Sequence, residues 1–217
     1  AAYGVGLQLS RAIYSFVCNF TLAVKPQIIK YYSTGQVREM ESLINASTRY
    51  AFLMLFALAM PVILETDFVL KLWLGTAPEG TATFSRLFLV IMLEEILYLN
   101  LIYAIQATNK MRTVSVVTGT LFLLIPVIAY ILLKIGYRNM YLPMIVSVVV
   151  YGFVIIARLL IVKKLIPQYS MWRYCRNVLL LSTLTAVVGP IVPLCVYEML
   201  DEGWLRLISV CVASVLS

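Results

Sequence analysis

Runs of about twenty apolar residues recur along this chain, and the short stretches between them carry most of its charge. A helix rising 1.5 Å per residue needs about twenty such residues to cross the ~30 Å hydrocarbon core of a bilayer. Each run therefore reads as a membrane-spanning helix. The expected spans are 3–24, 47–64, 84–107, 113–133, 141–162 and 178–196, with a last run over 204–217 that is cut short. Strict alternation over ten-residue blocks, the mark of an outer-membrane barrel, is missing. Composition points the same way: 62% hydrophobic and 12% charged residues, where a soluble domain has about 45–50% and about 25%. The expected fold class is all-α, a polytopic membrane helical bundle forming a single transmembrane domain over 1–217. The chain opens on Ala1 without a signal-peptide pattern and ends on Ser217 inside an apolar run, so it reads as a piece of a longer protein.

The connections set an orientation. The longest polar interval, 25–49, holds Lys25, Lys30, Arg38 and Arg49 against Glu39 and Glu41. Basic residues beside a span resist translocation, which predicts a cytoplasmic position for this interval. Alternating from there, the cytoplasmic connections 25–49, 108–112 and 163–177 gather Lys25, Lys30, Arg38, Arg49, Lys110, Arg112, Lys163, Lys164, Arg173 and Arg176. The opposite connections hold only Lys71, Lys134 and Arg138. The bias is that of positive-inside topology. It also accounts for the net charge of +7 without nucleic acid, leaving membrane lipids or an anionic lipid-linked substrate as partners. Residues 65–83 add an amphipathic stretch through Phe68, Leu70, Leu72 and Trp73, expected to lie on the outer interface.

Polar residues inside the spans are the candidate chemistry. Gln8, Arg11, Ser15 and Asn19 recur at i, i+3, i+7 and i+11, one face of the first helix. A mid-span arginine facing lipid costs at least about 2.5 kcal/mol, so this face is expected to meet protein or a wet cavity. Two readings of Arg11 stand: it lines a substrate cavity, or it pairs structurally. The adjacent carboxylates Glu94 and Glu95 in the third span point about 100° apart. They are candidates for proton or ion coupling, with a structural ion pair, including one to Arg11, as the other reading. Arg158 is expected to snorkel toward the inner interface. With no histidine and no CxxC spacing among Cys18, Cys175, Cys195 and Cys211, neither a metal, a cofactor nor a catalytic residue is expected.

Three segments carry a family resemblance. AVKPQIIKYYSTGQVREMESLI (23–44), VLKLWLG (69–75) and AIQATNKMR (104–112) resemble, in order and spacing, the second half of flippases of the multidrug/oligosaccharidyl-lipid/polysaccharide (MOP) exporter superfamily. They are most similar to its polysaccharide-biosynthesis branch, the O-antigen or capsular repeat-unit flippases. Asn109 stands where that pattern has glycine, and asparagine is the other residue that readily adopts a left-handed conformation. The resemblance implies the second lobe of a MATE-like inverted-V fold plus extra C-terminal helices, with an N-terminal lobe of the same chain as partner. It implies a non-enzymatic transporter of the bacterial inner membrane that flips an undecaprenyl-pyrophosphate-linked oligosaccharide by alternating access. Gln8, Arg11, Ser15 and Asn19 would face the substrate, and Glu94 and Glu95 would serve coupling. Two rivals remain: a cation-coupled multidrug exporter of the same superfamily, and a non-transporting membrane enzyme or scaffold of polysaccharide biosynthesis.

Overall fold

The computed structural model describes residues 1–201 and 203–216. Glu202, expected in the acidic connection after the sixth span, and Ser217 lie outside them. The helices are α1 (Ala2–Ser33), α2 (Val37–Leu64), α3 (Thr66–Leu74), α4 (Thr81–Ala107), α5 (Met111–Ile135) and α6 (Leu142–Leu165). They are followed by α7 (Met171–Tyr174), a π-helical turn over Cys175–Leu180, α8 (Leu181–Val188), α9 (Ile191–Met199) and α10 (Trp204–Leu216). Among the described residues six helices are long and apolar enough to cross a membrane: α1, α2, α4, α5, α6 and the continuous series Met171–Met199. The chain is a polytopic, all-α membrane helical bundle.

α4 is the axle of the bundle. Its apolar residues occupy every face rather than one stripe, which suits a helix enclosed by others. It packs against α1, α2 and α6, and Leu89, Ile96, Leu101, Ala104 and Ile105 are fully buried. The α1 contact is close because Gly6 has no side chain: a Cβ there would meet the Ser85 backbone nitrogen at 3.0 Å. Ser10, one turn on, donates to the Gly6 carbonyl at 2.9 Å and reaches the Ser85 carbonyl at 3.3 Å. Small residues and hydroxyls of this kind hold helices together where the surroundings are as apolar as the side chains. α5 is the opposite case. It rests mainly on α6, only Val114, Thr118 and Ala129 are buried along it, and Leu123, Val127, Tyr130 and Ile131 face outward. In a bilayer that outward face meets hydrocarbon.

The interval 25–49 departs from the expected connection. α1 runs on to Ser33 through Pro26, and α2 begins at Val37. Only Thr34–Gln36 is non-helical, turned by Gly35 at φ 73°, a conformation that favours glycine. At 32 residues α1 is about 48 Å long and overreaches the ~30 Å hydrocarbon core. Lys25, in the overhang, lies 5.5 Å over the Tyr103 ring. The expected sixth span is likewise longer, starting at Met171, and it breaks at Gly189–Pro190. Asn109 adopts φ 58° between α4 and α5.

Contacts define two ends. At the basic end the start of α2 is joined to the α6–α7 connection by Glu41, which accepts from the Ser170 backbone N–H at 3.2 Å, and the end of α1 meets the end of α4 through Lys25 and Tyr103. At the other end α3 lies against α2 and α4. There Arg86 pairs with Asp67 at 2.8 Å and donates to the Ile63 carbonyl at 3.0 Å. Leu70 is buried while Leu72 and Trp73 are exposed, so α3 is the amphipathic helix that the sequence shows at 65–83.

Candidate functional site: a charged recess between α1, α4, α5 and α6

α1, α4 and α6 do not close completely on one another, and α5 does not fill the gap. A recess of about 580 Å³ remains, lined by Arg11, Tyr14, Ser15 and Cys18 of α1, Glu95 of α4 and Ser147 and Tyr151 of α6, with an aromatic and aliphatic remainder. The helical periodicity that groups Gln8, Arg11, Ser15 and Asn19 on one stripe holds, and all four are exposed. Arg11 and Ser15 enter the recess; Gln8 and Asn19 continue the stripe beyond its lining. The Ser15 hydroxyl donates to the Ala12 carbonyl at 2.9 Å, which leaves its lone pairs facing outward.

Glu95 is brought to Arg11, as one of the two readings anticipates, but not into an ion pair. Both Arg158 and Arg11 act electrostatically on its carboxylate, and among the described residues neither approaches within 4 Å of it. Glu94 goes elsewhere. The 100° offset between neighbours on a helix turns it into a separate apolar recess of about 490 Å³ with Phe52, Phe56, Leu93, Ser182 and Pro190. One Glu94 carboxylate oxygen and the Ser182 hydroxyl are buried there without a hydrogen-bond partner. The two glutamates do not form one unit.

Arg158 differs from expectation. It does not snorkel: the residue is only 6% exposed, its guanidinium stacks 4.0 Å over the Tyr98 ring, and its Nε and Nη1 meet no acceptor. A buried donor without an acceptor costs about 1–3 kcal/mol, more when charged, and stacking on tyrosine returns part of that. The missed signal is spacing. Arg158 falls seven residues after Tyr151, on the stripe that turns inward through Val154 and Ile155, rather than with Lys163 and Lys164 at the helix end.

A second buried polar knot lies toward the basic end. Asn100 donates to Ser47 at 2.9 Å and to Thr48 at 3.0 Å, tying α4 to α2. The Tyr174 hydroxyl donates to the Leu97 carbonyl. These donors are satisfied within the knot, which reads as structural, while Asn100 Oδ1 is buried without a donor.

The recess thus offers one guanidinium group from Arg11, one carboxylate, tyrosine hydroxyls and a wall of mixed aromatic and aliphatic side chains, while Arg158 lies buried outside the lining. It can bind an anionic group by charge-assisted hydrogen bonds and a sugar or other ring on its aromatic faces. Among the described residues no group of His, Cys, Asp or Glu is gathered as for a metal ion. No family model, curated protein or solved structure matches the chain.

Proposed function

We propose that this chain is part of a carrier that flips an undecaprenyl-pyrophosphate-linked oligosaccharide, an O-antigen or capsular repeat unit, across the bacterial inner membrane. What carries this is the recess itself: Arg11 stands exposed in its lining, inside a span, together with the Glu95 carboxylate, on which both Arg11 and the buried Arg158 act. Charges left incompletely paired within a membrane mark a passage or binding site by default. A pyrophosphate suits Arg11 because a guanidinium donates two parallel hydrogen bonds. The substrate class comes from the resemblance of residues 23–44, 69–75 and 104–112. Positive-inside topology sets the basic end in the cytoplasm. The exposed Gln8–Asn19 stripe of α1 is where an N-terminal lobe would close the cavity, giving the inverted V and alternating access. The chain acts in this scheme without catalysing a reaction or using a cofactor.

The test is flipping of a fluorescent lipid-linked oligosaccharide in proteoliposomes by the complete protein. Arg11→Ala is expected to abolish most transport at unchanged protein level. Full transport by that variant overturns the cavity role. Coupling is read separately: if Glu94→Gln and Glu95→Gln both keep gradient-dependent transport, neither carboxylate couples.

One observation favours a second reading. Tyr3, Tyr14, Phe88, Phe122 and Tyr151 line the recess beside Glu95, and aromatic rings with a carboxylate attract cations. A cation-coupled multidrug exporter would use that lining. Uptake of a lipophilic cation that Glu95→Gln removes and Arg11→Ala leaves intact would establish it.

A further inference from the structure

Away from the central recess, at the basic end, α2 presents Arg38, Glu41, Ser42, Asn45, Ala46 and Arg49 at helical spacing along one face. Arg173 and Asn177, one turn apart, face them across a groove of about 260 Å³. Three guanidinium groups converge on this groove against one carboxylate. That carboxylate is partly engaged: Glu41 is 2% exposed, its Oε2 accepts from the Ser170 N–H, and its Oε1 lies 3.9 Å from Arg173 without a hydrogen bond. Among the described residues Arg38 and Arg49 have no carboxylate within 4 Å. Glu41 therefore fixes the turn that delivers Arg173 and leaves a surplus of positive charge.

Two further atoms are telling. Glu41 Oε1 and Asn45 Oδ1 are buried and accept no hydrogen bond, although both belong to residues more than nine-tenths buried. Arginines ask for an anion, whereas these oxygens ask for N–H or O–H donors. One ligand that meets both demands is a phosphate ester with a hydroxyl or ammonium group a few bonds away. The depth of the groove selects between sources. It spans the polar first turns of α2 ahead of the apolar run, and it is flanked by Tyr50 and Trp172, both exposed. Such aromatic residues sit at the headgroup level of a bilayer.

We infer that the Arg38–Arg49–Arg173 groove, with Glu41 and Asn45 at its base, binds the headgroup of a membrane phospholipid through its phosphate and its hydroxyl or ammonium donors. The site is independent of the transport reading, since it would stand in any membrane protein of this fold.

The purified full chain in detergent is titrated with short-chain phosphatidylglycerol, phosphatidylethanolamine and phosphatidylcholine, and bound lipid is counted by native mass spectrometry. Saturable binding is expected for the first two and weaker binding for phosphatidylcholine, whose quaternary ammonium has no N–H. Arg49→Gln and Arg173→Gln are each expected to weaken phosphatidylglycerol binding about fivefold, and Arg49→Lys less. Asn45→Leu is expected to narrow the ethanolamine-over-choline preference, and Arg138→Gln at the other end to leave binding unchanged. Exposed Arg38→Gln gives the same readout should a groove variant fail to fold. Equal binding of all three lipids, or retention of binding in Arg38→Gln and Arg49→Gln, overturns the site. Displacement by glycerol 3-phosphate or inorganic phosphate at the same concentration overturns the lipid source in favour of a soluble phosphate ester.

Discussion

Glu65 and Glu95 both face arginine in this bundle, yet the two sites are built in opposite ways. Glu65, at the α2–α3 junction, is fully enclosed and receives both arms of Arg206 from α10 at 2.5 and 2.9 Å. The Arg206 guanidinium also lies 4.3 Å over the Tyr197 ring. Both carboxylate oxygens have a donor, and the pair joins elements far apart in sequence. Glu95 instead lines an open recess. It is influenced by Arg158 and Arg11 but bonded bidentately to neither. Enclosed and saturated charge binds the fold together, whereas charge left partly unpaired beside a cavity keeps hydrogen-bonding capacity for something else.

The largest effect should come from breaking the saturated pair. Arg206→Met strands a buried carboxylate, which costs about 3–5 kcal/mol, read as a fall in the unfolding midpoint of the detergent-solubilised protein. The double variant Glu65→Gln/Arg206→Met should recover most of that loss, because an ion pair replaced whole is nearly neutral. Activity per folded molecule should not change. If Arg206→Met unfolds like the unaltered protein, the pair is not what anchors α10.

The open site should behave the other way round. Arg11 is exposed, so Arg11→Ala should shift stability by no more than about 0.5 kcal/mol. Loss of charge-assisted hydrogen bonds to a pyrophosphate should remove about 1.5–3 kcal/mol of binding, roughly 10- to 100-fold in apparent substrate affinity. Substrate-concentration dependence of flipping in proteoliposomes measures this. An Arg11→Ala protein that loses stability instead of affinity would place Arg11 with Arg206 among structural groups and end the contrast.

These differences are only partly legible in the amino-acid order. The spans are, because twenty apolar residues leave a bilayer helix few alternatives. So is the Arg11 stripe, since 3.6-residue periodicity fixes which residues share a face. The polar interval 25–49 misleads for a physical reason: polarity marks where a chain leaves hydrocarbon, not where it stops being helical. Lys, Arg, Gln and Glu are good helix formers, and only Gly35 interrupts. Arg158 misleads because closeness to a helix end suggests snorkelling, while the direction of its face, set by packing of α6 on α4, decides its burial. The Glu65–Arg206 pair joins residues too far apart in the chain for any spacing rule to connect them.

A subtler contrast divides the adjacent carboxylates. Glu94→Gln replaces a carboxyl group in an apolar recess that offers one of its oxygens no donor. Stability should stay level or rise slightly. Glu95→Gln leaves Arg158 and Arg11 without their nearest counter-charge and should cost on the order of 1–2 kcal/mol at the effective dielectric of such sites. Opposite signs in parallel unfolding measurements would sharpen the distinction drawn by their two cavities. Equal losses would mean that both carboxylates answer to the same arginines.

Among substitutions that break a hydrogen bond or ion pair inside the bundle, the smallest loss belongs to the neutral polar knot. Asn100→Leu deletes the two hydrogen bonds from Nδ2 to Ser47 and Thr48, each worth about 0.6 kcal/mol between membrane helices. Ser47 keeps its bond to the Leu43 carbonyl at 2.7 Å, so its own proton is not stranded. The substitution also removes Asn100 Oδ1, a buried acceptor that has no donor, which offsets part of the loss. The net cost should be about 0.5–1 kcal/mol, well below that of Arg206→Met. Asn100→Asp should cost more than Asn100→Leu, since it places a charge where only hydroxyls can answer it. Unfolding midpoints of the three variants rank them directly. Should Asn100→Leu prove costlier than Arg206→Met, the α2–α4 contact rather than the ion pair carries the bundle, and saturation of a buried charge would no longer mark the stronger tie.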